Sequence, residues 1–83
     1  MKYVKIDGNE IRNREELHEE IKSQLDFPDY YGKNLDALYD MLSSFTEPVE
    51  FEIVNQEMLE KHLGHYAKMF LGLLEDIKGE SDV

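Results

Sequence analysis

Residues 49–54 read VEFEIV, and this short stretch decides the fold. Apolar and acidic side chains alternate there in the order Val49, Glu50, Phe51, Glu52 and Ile53. A period of two is typical of a β-strand with one buried face. A second β-prone segment, KYVKI at residues 2–6, ends in an Asp-Gly turn signal. Because helical patterns separate the two strands, their connection should be a crossover and the strands should pair in parallel.

Two helices are predicted between these strands. Asn13 stands three residues before Glu16, an arrangement close to a capping box, and apolar residues follow at helical spacing, namely Leu17, Ile21 and Leu25. The loop DFPDYYGK comes next. Asn34 is then a good N-cap for a second helix, which should run to about Phe45.

Two further helices are predicted after the second strand. Asn55 can cap a short helix that Gly64 closes, and the next helix has an apolar stripe before Gly79, formed by Tyr66, Met69, Phe70, Leu73, Leu74 and Ile77. Residues 80–83 look like the start of a third strand, which should pair with the first unless the natural chain continues past Val83. The order of elements predicts the α/β class, with a small parallel sheet of two to three strands covered by about four helices.

Length and composition favour one folded domain over residues 1–83. The chain contains no cysteine, which excludes disulfides, a thiol nucleophile and cysteine-ligated zinc, and the expected location is the cytoplasm. The longest apolar run, residues 69–74, is too short to span a bilayer. We therefore expect no membrane association.

The charge is strongly negative, with nine Lys and Arg against nineteen Asp and Glu, which gives a formal net charge of −10. Such a chain repels nucleic acid phosphates and attracts cationic surfaces. Between residues 26 and 52 lie seven acidic residues and a single basic residue, Lys33. A basic partner protein is expected, although charge runs are also commonly no more than solvated faces.

The second helix has two distinct faces on a helical wheel. Its apolar face consists of Leu35, Leu38, Leu42 and Phe45. Asp36, Asp40 and Ser43 fall nearly opposite, and Tyr39 lies at the boundary. One side should therefore face the core, while the other presents carboxylates.

Two tyrosines and a glycine precede this helix. Tyrosine next to charged groups is typical of protein interfaces, because it combines a large contact area with a hydroxyl group. On this interpretation Tyr30, Tyr31 and Gly32 extend the acidic face into a recognition surface. In the alternative interpretation one tyrosine covers the core, the other is an isolated surface aromatic, and the aspartates are simply solvated. Residue chemistry leaves both interpretations open.

The run YYGKNLDALYD at residues 30–40 resembles the signature of the barstar family, whose members are intracellular inhibitors of small secreted guanyl-specific ribonucleases. A looser similarity extends over most of the chain, including DGNEIRNREELHEEIKSQL as turn and first helix. The resemblance implies a barstar-like fold. It also implies that the loop and the helix after it enter the cleft of a ribonuclease, where an aspartate takes the place of the substrate phosphate.

By motif position, the resemblance assigns the phosphate-mimicking role to Asp40 and a neighbouring cationic contact to Asp36. The other partner-binding residues that it implies are Tyr30, Gly32, Asn34, Tyr39, Ser43, Phe45 and Glu75.

Three departures from the family pattern bear on these assignments. Tyr39 stands where a tryptophan is familiar, and the last strand is incomplete. The acidic contact from the final helix can be placed in two ways. Counting back from Asp82 selects Glu75, whereas aligning the apolar positions of that helix selects Asp76.

No catalytic, cofactor or metal site is expected. His62 and His65 have no third ligand at useful spacing, and His18 is most simply a surface residue. Glu50 and Glu52 form a carboxylate pair without a pocket or nucleophile motif to complete a site. No glycine-rich nucleotide motif or nucleophile elbow occurs. The chain is therefore not expected to be an enzyme.

The predicted function is inhibition of a small basic, barnase-like ribonuclease by the acidic loop and helix at residues 30–45. One alternative is an acidic adaptor or antitoxin-like module that binds another cationic protein. A third hypothesis, a carboxylate hydrolase, requires Asp36 and Asp40 to face each other across a concave pocket.

Overall fold

A computed structural model describes the backbone of residues 2–81 and the side chains of residues 2–77. The elements follow the order β1 (Lys2–Asp7), α1 (Arg14–Leu25), α2 (Leu35–Ser43), β2 (Val49–Val54), α3 (Gln56–Leu63) and α4 (His65–Ser81). The two strands pair in parallel and form a two-stranded sheet. The predicted α/β class, with a small parallel sheet and about four helices, is confirmed.

The sheet has one face on the core and one face toward solvent. Val4 pairs with Phe51 and Ile6 pairs with Ile53, and the two β1 side chains are completely buried. On the opposite face Lys5 pairs with exposed Glu52. The alternation of the strand sequence therefore corresponds to the two faces of the sheet.

A cluster of buried apolar side chains joins the sheet to the helices. Its members are Val4, Ile6, Ile11, Leu17, Ile21, Leu25, Phe27, Tyr31, Leu38, Leu42, Leu59, Ala67 and Phe70. The rings of Phe51 in β2 and Phe70 in α4 meet edge to face, with centroids 6.2 Å apart. Hence α4 is fixed on the sheet through its apolar stripe.

The predicted caps are confirmed for α1 and changed for α3. The Asn13 side chain accepts a hydrogen bond from the Glu16 amide at 2.9 Å, as an N-cap does. Asn55 does precede α3, but its backbone is left-handed and its side chain makes no cap bond. The side-chain NH₂ group of Asn55 instead donates to the Asp7 carboxylate at 2.8 Å, because the parallel register brings the ends of both strands together.

The predicted third strand is wrong where it can be compared, since α4 continues through Glu80 and Ser81. Asp82 and Val83 lie outside the described residues. An interior glycine costs a helix only about 1 kcal/mol, so Gly79 does not end α4.

The side-chain amide of Gln24 occupies the outer edge of β1. Its oxygen accepts from the Lys5 N–H at 2.9 Å, and its nitrogen donates to the Lys5 carbonyl at 2.8 Å.

The second helix is slightly shorter than predicted and ends at Ser43 rather than near Phe45. The Ser44 amide donates to the Asp40 carbonyl at 3.2 Å, and the Ser44 hydroxyl donates to the Met41 carbonyl at 2.7 Å. These bonds satisfy carbonyl groups that the last helical turn would otherwise leave unpaired.

The turn after β1 brings the backbone against the beginning of α3. Gly8 is buried, and its amide donates to the Val54 carbonyl at 2.9 Å. A Cβ atom at Gly8 would lie 2.1 Å from the Asn55 carbonyl oxygen and 2.6 Å from the Leu59 nitrogen. Both of these are backbone atoms, so the contact between the turn and α3 requires glycine.

No helix within residues 2–81 is both long enough and apolar enough to cross a membrane.

We predict that Gly8→Ala lowers the free energy of unfolding by more than about 2 kcal/mol, because the added methyl group forces the turn away from α3. Urea unfolding monitored by circular dichroism measures the change. The matched control is Gly72→Ala, since a Cβ atom at this exposed α4 position meets nothing within 4 Å. That control should raise stability by up to about 1 kcal/mol. Equal stability of Gly8→Ala and the unsubstituted protein would contradict the argument.

Candidate partner-binding surface

The α1–α2 loop, residues 26–34, begins with a left-handed residue that ends α1. Asp26 has φ 57°, and the amide of Phe27 donates to the Lys22 carbonyl at 3.0 Å. A short turn follows, in which the Tyr31 amide donates to the Pro28 carbonyl at 3.0 Å. The loop therefore has a defined backbone path before α2 begins.

The two tyrosines of this loop have opposite environments. Tyr30 is 84% exposed, whereas Tyr31 is 5% exposed. The ring of Tyr31 packs against Phe27, with centroids 4.8 Å apart. Tyr31 therefore anchors the loop in the core, while Tyr30 presents an aromatic side chain to solvent.

His18 is completely buried, so its predicted position on the surface is wrong. Its Nδ1 lies 2.6 Å from the Tyr31 hydroxyl, and its Nε2 lies 2.7 Å from the Tyr66 hydroxyl. The sequence does contain the relevant signal, because position 18 adjoins Leu17 and precedes Ile21 by three residues, on the edge of the apolar stripe of α1. A histidine at the edge of an apolar stripe can therefore be a core residue once its two nitrogens have hydrogen-bond partners.

Burial perturbs the titration of this cluster. Desolvation lowers the pKa of His18 from 6.5 to about 4, so the ring is neutral at pH 7. Burial also raises the pKa of Tyr31 and the pKa of Tyr66, so both hydroxyls keep their protons. A neutral imidazole has one donor and one acceptor, so one tyrosine donates to the ring and the other accepts from it.

Two surface ion pairs connect the α1–α2 loop with α1. Lys33 pairs with Glu19, and the Lys22 Nζ lies 3.4 Å from an Asp29 carboxylate oxygen. Bonding to the Glu19 carboxylate raises the pKa of Lys33, and Lys33 lowers the pKa of Glu19. Lys33 has φ 53°, a left-handed backbone that glycine adopts more easily. The single base of residues 26–52 therefore has its charge compensated by α1.

The start of α2 is capped as predicted. The Asn34 side chain accepts from the Ala37 amide at 2.7 Å and donates to the Gly32 carbonyl at 3.3 Å. A Cβ atom at Gly32 would lie 3.3 Å from the Ala37 Cβ, so the loop passes close to the first turn of the helix. Gly32 and Asn34, both predicted to contact a partner, thus also shape the loop that leads into α2.

The predicted division of α2 into two faces is confirmed. Leu38 and Leu42 are buried in the core, whereas the opposite face exposes Asp36, Asp40 and Ser43. Tyr39 is half-buried at the boundary between the two faces. The two carboxylates lie one helical turn apart on a convex surface.

Phe45 lies beyond the end of α2, at the edge of the core. Its half-buried ring stacks on Phe27 with centroids 6.1 Å apart, and the Lys2 Nζ lies 5.4 Å from the Phe45 centroid.

Glu75 and Asp76 are both exposed on α4. Exposure does not separate them, so the contact from the last helix stays a prediction at Glu75, with Asp76 as the alternative.

Comparison with known proteins connects this surface to a family. The family model described as "Barstar (barnase inhibitor)" matches residues 1–82. The chain belongs to the barstar family. A protein of Bacillus subtilis (strain 168), named "Putative ribonuclease inhibitor YrdF", is 41% identical to it over 81 residues, covering 96% of this chain and 89% of the relative. The resemblance first carried by residues 30–40 is therefore confirmed for the barstar family over nearly the whole chain.

An open cleft lies away from the acidic face of this barstar-family protein, between the start of α1 and the junction of α3 with α4. It is lined by Asn13, Arg14, His62, Leu63, His65, Tyr66 and Met69. The His62 Nδ1–H donates to the carbonyls of Gly8 at 3.1 Å and Ile11 at 2.9 Å, which gives this histidine a structural role. Within the described residues no group of three or more His, Asp or Glu side chains could hold a metal ion.

We predict that stability falls on acidification, because unfolding frees His18 to bind a proton. Its pKa is lower in the folded state, so the unfolded chain binds more protons between about pH 6.5 and pH 4. Stability is then fully present above pH 6.5 and falls by up to about 1.4 kcal/mol per pH unit through that window.

Urea unfolding at pH 7, 6 and 5 measures this slope, and NMR titration of the imidazole signals measures the His18 pKa directly. The matched control is His65→Gln, which removes an exposed histidine but keeps His18, so the loss of stability between pH 7 and pH 5 should persist. A His18 ring that titrates near pH 6.5 in the folded protein would show the prediction to be wrong.

Proposed function

We propose that this chain inhibits a small basic, guanyl-specific ribonuclease of the barnase type and occludes its active site with the α1–α2 loop and α2. The observation that carries the proposal is the pair of exposed carboxylates, Asp36 and Asp40, on α2, together with exposed Tyr30 in the preceding loop, in a member of the barstar family.

The chemistry of the partner site supports a carboxylate competitor. A ribonuclease cleft binds phosphate and is therefore cationic, so a carboxylate held in the position of a phosphate competes directly with the substrate. In the proposed complex Asp40 takes that position and Asp36 meets a neighbouring cation. Since α2 carries no basic residue, its exposed face does not neutralise these charges internally.

The surrounding residues contribute contact area and shape. Tyr30 offers a large aromatic surface, and Gly32 lets the backbone approach the partner closely. The remaining proposed contacts come from Asn34, Tyr39, Ser43, Phe45 and, on α4, Glu75. Their arrangement on a helix and an anchored loop means that little ordering has to accompany binding.

Long-range attraction should speed the encounter. The net charge of −10 draws the chain toward a basic enzyme, an effect for which the barstar family is itself a standard example.

A convex acidic helix also argues against the carboxylate hydrolase. Asp36 and Asp40 lie side by side on one helix rather than across a pocket, and the cleft near His62 contains neither of them.

The proposed function predicts stoichiometric and salt-sensitive inhibition. Titration into activity assays of a panel of small ribonucleases, basic and acidic, should abolish the activity of a basic member at a one-to-one ratio. Association should slow as salt rises from about 0.1 M to 1 M, because the screening length falls from about 10 Å to about 3 Å. Full activity of every enzyme in the panel would reject the proposal, and a pull-down that returns a basic protein without nuclease activity would favour the adaptor alternative.

Removal of the phosphate-mimicking carboxylate should weaken inhibition selectively. Asp40→Ala should raise the inhibition constant at least about thirtyfold, as expected for a charged group at the centre of an interface. The matched control is Glu10→Ala, which deletes an exposed carboxylate from the β1–α1 loop and should change the constant less than about threefold. Glu19 is unsuitable as the control because it pairs with Lys33. Similar effects of the Asp40 and Glu10 substitutions would count against the assignment.

A further inference from the structure

The buried cluster of His18, Tyr31 and Tyr66 joins three separate elements of the chain. His18 belongs to α1, Tyr31 to the α1–α2 loop and Tyr66 to α4. We infer that His18 and Tyr66 are positioning residues for partner binding. His18 holds the Tyr31 hydroxyl and Tyr66 orients the His18 ring, so that together they fix the backbone that presents Tyr30 and Gly32. This inference rests on the proposed function, because it concerns the same surface.

Among residues 30–33, Tyr31 is the one that is buried in the core. Its neighbours Tyr30, Gly32 and Lys33 are exposed, and the Lys33 ion pair is exposed as well. Exposed ion pairs contribute little to order, because water screens the attraction between the charges. The Phe27 contact and the His18 hydrogen bond are therefore the buried contacts of Tyr31 that fix this stretch.

The Phe27 contact alone does not define one position for Tyr31. Contacts between aromatic rings tolerate sliding, whereas a buried hydrogen bond specifies both distance and direction. At 2.6 Å the bond between Tyr31 and His18 leaves little freedom for the hydroxyl, and the loop backbone follows the ring. The hydrogen bond accordingly selects one loop conformation among several that the apolar contact would permit.

Tyr66 sets the orientation of the His18 ring and so acts on the loop indirectly. Each ring nitrogen has one tyrosine partner, at 2.6 Å and 2.7 Å, so rotation of the ring would break both bonds. The guanidinium of Arg14 lies 5.1 Å from the Tyr66 ring centroid, which holds that ring on its outer side. Removal of the Tyr66 hydroxyl leaves one buried nitrogen without a partner, and the ring can then turn at the expense of its bond to Tyr31.

The test is Tyr66→Phe, a substitution outside the proposed contact surface. Two quantities are measured: the inhibition constant against the ribonuclease of the panel that the unsubstituted protein inhibits, and the hydrogen-exchange rate of the Tyr31 amide, which is bonded to the Pro28 carbonyl. The inhibition constant should rise about five- to thirtyfold, and the exchange rate should rise by a similar factor.

The matched control is Ile6→Val, a core change in β1 that removes one buried methylene group and lowers stability by a comparable amount. Its global stability, measured by urea unfolding, should match that of Tyr66→Phe, while its inhibition constant and its Tyr31 exchange should stay near those of the unsubstituted protein. A purely structural role of Tyr66 would give the two variants the same behaviour, and that result would overturn the inference.

A second variant, Tyr31→Phe, removes the other hydroxyl and should give the same two changes even where Tyr66→Phe folds poorly. The two measurements also separate the hypotheses. Absence of inhibition by the unsubstituted protein rejects the proposed function, while accelerated Tyr31 exchange in the variants still supports the effect of the buried cluster on the loop conformation. Unchanged Tyr31 exchange in both variants overturns the positioning role even where inhibition is strong.

Discussion

The two hydrogen bonds of the buried His18 ring connect parts of the chain that the sheet does not connect. The parallel pairing of β1 and β2 organises the two strands, and α4 packs against the sheet through Phe70. The α1–α2 loop belongs to neither contact. It reaches the core through Phe27 and Tyr31. The Tyr31 hydroxyl lies 2.6 Å from one nitrogen of the His18 ring, and the other nitrogen of that ring meets the Tyr66 hydroxyl on α4. The polar cluster of His18, Tyr31 and Tyr66 thus adds to the apolar core. Through Tyr31, its hydrogen bonds also constrain the loop that leads into α2.

This arrangement explains how a small domain can present charge at a fixed place. A chain of this length buries only about 60% of the surface that its unfolded state exposes, so it has few spare contacts for ordering loops. The helix α2 uses its apolar face for the core and is left with a carboxylate face. Asn34 caps the helix, and the loop before it is anchored in the core by Tyr31. The position of Asp40 therefore depends on the core itself.

Much of this structure can be predicted from the sequence, because local patterns decide it. The alternation in VEFEIV, the cap at Asn13 and the two faces of α2 are all periodic or local signals, and the structure confirms them. What the patterns miss depends on tertiary contact. The Asp-Gly pair signals a turn at Gly8, but this residue must be glycine because a Cβ atom there would lie 2.1 Å from the Asn55 carbonyl oxygen, just before α3. The same applies to His18, whose hydroxyl partners stand 13 and 48 residues away in sequence.

The predicted third strand is replaced by helix at residues 80 and 81. Residues 80 and 81 have the polarity of a turn into a strand, yet they continue α4, because a helix already formed is extended at little cost. The free edge of β1 finds a different partner in the amide of Gln24, whose oxygen and nitrogen bond the Lys5 amide and carbonyl as a neighbouring strand would. No sequence period signals that a side chain will occupy a strand edge.

Several features around α2 lower the stability of the free protein, and they support a role in binding. Asp36 and Asp40 repel each other one turn apart, which costs a few tenths of a kcal/mol. Lys33 adopts a left-handed backbone that costs an ordinary residue about 1 kcal/mol relative to glycine. Tyr30 leaves a large aromatic ring in water. Fold stability alone would favour a lysine in α2, a glycine at position 33 and a smaller polar side chain at position 30. The concentration of these costs in residues 30–40 is what a surface shaped for a cationic partner would show.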